Sequence, residues 1–233
     1  MTAAVYHEQF DDGPGGWYGW ISNAGGPKPL EWQRGSLTSR SPWWIDYNHA
    51  PPGAGYLHMV FCLATAGPRS EACLEAGGTN RFLQGGYPAN FSNASISVRL
   101  SGELVDRHAR LLLLIQGNAG GITSGWLLTQ SPLAISASVT EQTIHLEPDA
   151  ANWTALGVRH DRADMYGVRP LDHVLRCVNV NLMLVLFPLD IVPMGTIDGD
   201  PDILRPERDY PVWRHRLPEG YITLEGIRIQ FAD

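Results

Sequence analysis

Long apolar runs are missing from this sequence. None approaches the roughly 18 residues that a membrane-crossing helix needs, so no such span and no membrane partner are expected. Basic charge is also scarce: 17 lysines and arginines stand against 24 aspartates and glutamates, for a net charge of −7. That balance argues against a nucleic-acid partner, because phosphate binding requires a basic face. Lys28 is the only lysine; arginine's planar fork suits carboxylates and sugar hydroxyls, and coding bias accounts for the imbalance equally well. Cysteine is limited to Cys62, Cys73 and Cys177, an odd number that cannot be fully paired. A Cys62–Cys73 bridge is open in an oxidising compartment, but three reduced thiols is the plainer reading. No basic-then-apolar leader is visible, which leaves the location cytoplasmic or, if a leader was removed, unknown. No repeat of about 20 to 50 residues occurs, which disfavours propellers and solenoids. Nucleophile-elbow, phosphate-loop and dinucleotide signatures are lacking as well.

Glycine (25) and proline (17) are plentiful, which suits many short strands joined by turns. Ile96, Val98 and Leu100 alternate with polar residues, as one buried sheet face requires. Residues 111–115 form a continuous apolar run, expected of a strand covered on both sides. Residues 101–108 read as a polar hairpin connection, residues 178–189 as a strand, and residues 171–176 as one short helix. Residues 62–90 and 190–219 read as long irregular loops, which in compact domains tend to carry function. The expectation is an all-β antiparallel β-sandwich, a jelly roll with long loops and at most one or two short helices, as a single domain over residues 1–233.

Two stretches frame this sandwich. Near the start stands Phe10-Asp11-Asp12-Gly13-Pro14-Gly15-Gly16-Trp17, and the last strand, residues 221–231, alternates around Glu225. Together with the strands of residues 91–157, they resemble carbohydrate-binding modules of the galactose-binding-domain-like jelly-roll type. The resemblance implies carbohydrate binding, and it implies a structural calcium ion held by Asp11 and Glu225, whose carboxylates suit that ion's oxygen chemistry. The alternative at these positions is a turn residue and a solvated strand acid.

The densest polar and aromatic cluster lies at residues 41–58. Trp43 and Trp44 offer flat faces for sugar C–H groups, and Asp46, Asn48 and His49 offer hydrogen-bonding partners for hydroxyls. The same stretch supports a catalytic reading as a lyase or glycoside hydrolase, with His49, Tyr47 and Asp46 in acid–base roles. It also supports a purely structural one, as an aromatic core corner. His58 beside His49 and Asp46 invites a transition-metal reading but fits no compact ligand spacing. A second group, His160 with Asp161 or Asp164 and Tyr166, offers a base, an orienter and a proton donor. Residues 205–216 mix arginines with Tyr210 and Trp213; Arg208 and Trp213 are ligand-binding candidates there, able to clamp a carboxylate. An interface is the other reading of that stretch. The functional expectation is a protein that binds a glycan or small polyhydroxylated ligand. A carbohydrate-active enzyme and a structural or homo-oligomerising protein are the alternatives.

Overall fold

The computed structural model describes residues 3–22, 26–46, 56–66, 71–157, 164–189 and 216–232. Among them run β1 (Val5–Glu8), β2 (Trp17–Ser22), β3 (Gly26–Lys28), β4 (Glu31–Gln33), β5 (Ser36–Arg40), β6 (Ile45–Asp46) and β7 (Tyr56–Ala64). Helices α1 (Glu71–Gly77) and α2 (Arg81–Gln84) follow, then β8 (Ser95–Val105), β9 (Arg110–Ala119), β10 (Ile122–Leu128), β11 (Thr140–His145) and β12 (Trp153–Ala155). Helix α3 (Leu171–Leu175), β13 (Asn181–Leu189) and β14 (Glu219–Gln230) complete the order.

These strands form two antiparallel sheets. The smaller has the order β11-β8-β14-β5-β4, with β1 also on β14; the larger runs β12-β10-β9-β13-β7-β2-β3, with β6 on β7. This is the all-β sandwich expected from the strand pattern. In β8, Ile96, Val98 and Leu100 are buried and the residues between them are not, giving one dry face. The continuous run in β9 divides by parity. Leu111, Leu113 and Ile115 enter the core between the sheets, while Leu112 and Leu114 join a second apolar cluster. Strand β13 divides the same way, with Leu182, Leu184 and Leu186 inward and Met183, Val185 and Phe187 outward. Strand registers align Leu127, Leu114, Met183, Cys62 and Tyr18 in one row across the outward face of the larger sheet. Burying a leucine is worth about 2 kcal/mol, so this second cluster is a substantial part of the fold's stability.

Three readings of the sequence change. Residues 101–105 extend β8, and residues 106–109 are not a hairpin but a turn that carries the chain from the smaller sheet to the larger. Residues 62–90 are not wholly irregular, because they hold the end of β7 and two helices; with α3, the described residues contain three α-helices rather than one or two. These helices are too short for a period of 3.6 to emerge from the sequence. Asn80 caps α2, accepting the Leu83 N–H at 3.0 Å and donating to the Ala64 carbonyl at 2.8 Å. That cap seats Phe82 among Tyr6, Tyr87, Phe91 and Phe231, closing one end of the core. No disulfide joins Cys62, Cys73 or Cys177, so all three are thiols.

A candidate ligand groove on the smaller sheet

Strand β14 changes partner halfway along. Residues 221–224 pair with β5, residues 227–230 pair with β1, and β8 follows the whole length on the other side. At the changeover Leu224 faces Leu100 and Gly226 faces Arg99, so Glu225 is an extra residue, a β-bulge. The insertion shifts the parity of the strand. Ile222 and Leu224 point into the core before it, and Ile227 and Ile229 after it. Glu225 is thereby turned to the outward face, where Ser101 Oγ donates to Oε1 at 3.0 Å and Arg99 Nη2 stands 3.8 Å from Oε2.

A shallow groove of about 80 Å³ forms at this point. It is lined by His7 and Gln9 from the N-terminal strand region, Ser97 and Arg99 from β8, Glu141 from β11, and Glu225 and Arg228 from β14. Arg99 has Glu141 as its cross-strand neighbour in β11 and Gly226 in β14, so β8 sets it between the strands that carry Glu141 and Glu225. The groove therefore alternates forked donors with carboxylate and hydroxyl acceptors on a rigid sheet. Further along the same face, Arg40 grips Glu31 with two contacts of 2.9 Å and lies 4.7 Å over the Tyr221 ring, and Thr38 bonds Thr223 at 2.9 Å. No family model matches the chain, and no curated protein or solved structure matches it either.

Trp43 and Trp44 do not supply an open platform. Trp43 is 1% exposed and lies between the sheets, its Nε1 donating to Ser39 Oγ at 3.0 Å, which in turn donates to the Val60 carbonyl at 2.9 Å. Trp44 is 4% exposed and belongs to the outward cluster of the larger sheet, with its ring centroid 6.1 Å from that of Trp20. The reason is geometric: successive side chains on extended backbone point to opposite faces, so the two rings enter different cores. Asp46 contributes its backbone to β6, paired with Leu57. Tyr47, Asn48, His49, His160, Asp161, Arg208 and Trp213 lie outside the described residues. Asp164 and Tyr166 are described, and Tyr166 forms a bridge with Thr123.

His58 is buried in the core, its Nδ1 3.2 Å from the Trp44 carbonyl and its ring beside Trp43. That contact makes Nδ1 the protonated nitrogen. Burial lowers the imidazole from its ordinary value to about 4, against a smaller opposing contribution from the Trp44 hydrogen bond. No cluster of three or more histidines, cysteines or acids able to hold a metal occurs among the described residues.

Those residues do not fit the calcium site that the resemblance implies. Asp11 is exposed, and Glu225 is engaged by Ser101 and faces Arg99. The oxygens that converge beside the N-terminal turn close on Arg81 instead. Its guanidinium meets the Glu8 carboxylate at 2.6 and 2.7 Å, the Gly13 carbonyl at 2.9 Å and the Asp12 carbonyl at 3.2 Å. Glu8 is 3% exposed and also accepts the Phe10 N–H at 2.8 Å. Hydrogen bonding to Glu8 raises the Arg81 guanidinium further above its ordinary value. Gly15, at φ +65°, admits this pair because any Cβ there would collide with the Glu8 carboxylate. An organic cation thus organises this turn.

The sequence reading singled out Glu225 but missed Arg99, Arg228, His7 and Gln9. The signal was present in the order Ile222-Thr223-Leu224-Glu225-Gly226-Ile227-Arg228-Ile229. The apolar alternation skips one place at Glu225-Gly226, which is the mark of a bulge.

Proposed function

We propose that this protein binds a carbohydrate or a similar polyhydroxylated ligand in the groove at the Glu225 bulge. The observation that carries the reading is the arrangement of Glu225, Arg99 and Glu141 across one open groove, with Ser97, Gln9 and Arg228 around it. Carboxylates accept from vicinal hydroxyls, guanidinium groups donate to them in pairs, and a rigid sheet holds both without ordering a loop. An open groove also accommodates a chain rather than a single enclosed sugar. The resemblance to carbohydrate-binding jelly rolls agrees with this reading. It moves the contact surface from the aromatic loop at residues 41–58 to the last strand.

Glycan-array binding, followed by titration of the hits, tests it. Arg99→Ala and Glu225→Gln are each expected to weaken binding about 10- to 100-fold, the loss of one charge-assisted hydrogen bond or more. Absence of binding to every glycan, or binding indifferent to both substitutions, overturns the proposal. Product analysis on the same hits separates a binder from a hydrolase. Cleaved glycan would make Glu141 and Glu225 an acid and base pair, and Glu141→Gln would then abolish turnover.

A further inference from the structure

A second cavity, which shares no lining residue with the groove, opens where the chain crosses from β8 to β9. Its volume is about 330 Å³, at the small end of cavities that take small-molecule ligands. Leu104, Leu111, Leu133 and Ile135 form an apolar lining, with Asp106 and Arg110 as its charged residues. The wall contributed by residues 132–136 is fixed to both sheets. Leu133 N–H donates to the Leu111 carbonyl at 2.8 Å in the larger sheet, and Ser136 accepts the Gly102 N–H at 2.8 Å in the smaller. The Gln142 carboxamide clasps the Ala134 backbone from both sides, at 2.7 and 2.9 Å. The cavity is therefore pre-formed, and filling it requires little ordering.

The charges beside it are unequal. Asp106 is committed to its own turn, its Oδ1 accepting the His108 N–H at 2.8 Å and its carbonyl accepting the Ala109 N–H at 3.0 Å. Arg107 and His108 both sit in the left-handed region, at φ 51° and 73°, where Asn-Gly would be the usual pair. Each such residue costs roughly 1–2 kcal/mol, and this strained turn leads directly into β9, which begins at Arg110. Among the described residues the Arg110 side chain has no hydrogen-bond or ion-pair partner, and Arg107 Nε is buried without one.

We propose that this cavity binds a small amphipathic carboxylate, its aryl or short-alkyl body on Leu104, Leu111, Leu133 and Ile135 and its carboxylate on Arg110. A cation is disfavoured because Arg110 stands in the lining and the one acid there, Asp106, is committed to its own turn.

The test uses titration calorimetry with hexanoate and 4-phenylbutyrate, each beside its neutral alcohol. The carboxylates are expected to bind at least 10-fold more tightly than the alcohols. Arg110→Gln, on an exposed side chain, should bring the carboxylates down to the level of the alcohols. Ala134→Trp should remove binding of all four by filling the mouth, and Arg99→Ala should leave it unchanged. The proposal is overturned if neither carboxylate binds, if the alcohols bind equally well, or if carboxylate binding survives Arg110→Gln. Denaturant midpoints confirm that each variant is folded. Should Ala134→Trp fail to fold, the Arg110→Gln comparison decides alone.

Discussion

The outward faces of the two sheets are built from opposite materials. On the smaller sheet, Ser97, Arg99, Thr143, Thr223 and Arg228 project away from the core, as in an antiparallel sheet with one wet side. On the larger sheet the corresponding positions are Leu112, Leu114, Met183 and Val185, none more than 2% exposed. One sandwich thus contains a face open to water and a face that is covered. The difference teaches where recognition is to be sought. A face already dry on both sides contributes stability, while a wet face with a break in its register is free to meet a ligand.

The strongest way to break this comparison is to place one charge on each face. Leu114→Asp is expected to lose more than about 4 kcal/mol, because an unpaired carboxylate enters an apolar row. Thr143→Asp should change stability by no more than about 0.5 kcal/mol. Urea unfolding midpoints read both, and similar losses would erase the distinction between the faces.

The space between the sheets is tested through His58. Its folded-state value of about 4 lies below the ordinary 6.5. Between those values the unfolded chain takes up a proton that the folded one refuses. The stability present above pH 6.5 is therefore lost as the pH falls towards 4, by roughly 3 kcal/mol in all. His58→Leu should flatten this slope whatever its effect at neutral pH. A slope unchanged in the variant would assign acid sensitivity to other groups.

Next in size is the ion pair behind the N-terminal turn. Arg81→Gln is expected to lose about 2–3 kcal/mol, since it strands a buried Glu8 carboxylate, with partial exposure of the arginine reducing the full penalty. Combining it with Glu8→Gln should lose less than the sum of the two, as measured by a double-substitution cycle on unfolding free energies. Strict additivity would mean that the two side chains stabilise the turn independently.

The sequence displayed the sandwich because burial leaves a periodic trace. Ile96, Val98 and Leu100 recorded one dry face, and Leu111 to Ile115 recorded two. It displayed the site poorly, since a groove assembled from His7, Arg99, Glu141 and Arg228 draws on four strands far apart in the chain. Single polar residues on a wet face look alike until the register is known. The Trp43-Trp44 pair misled for a related reason. Aromatic density in sequence reports neither which way each ring points nor whether water reaches it, and adjacency on a strand separates the two. Short helices such as α1 and α2 left no periodic trace at all, having too few turns to produce one.

Strand β14 has a consequence for the order in which the molecule is made. It lies between β8 and β5 and also takes β1, so Gln230 must find Val5 and Tyr221 must find Arg40. Chain closures of this length are entropically slow. At ribosomal speeds of about 5–20 residues per second, β5 and β8 emerge well ahead of their shared neighbour. Until β14 arrives, each presents an unpaired edge, the usual template for association with other chains. Among the described residues, the larger sheet has its strands by Leu189 and is able to form first. The groove comes into existence only when β14 closes the smaller sheet, and a chain halted before Glu219 has neither the groove nor the protection that β14 gives its neighbours.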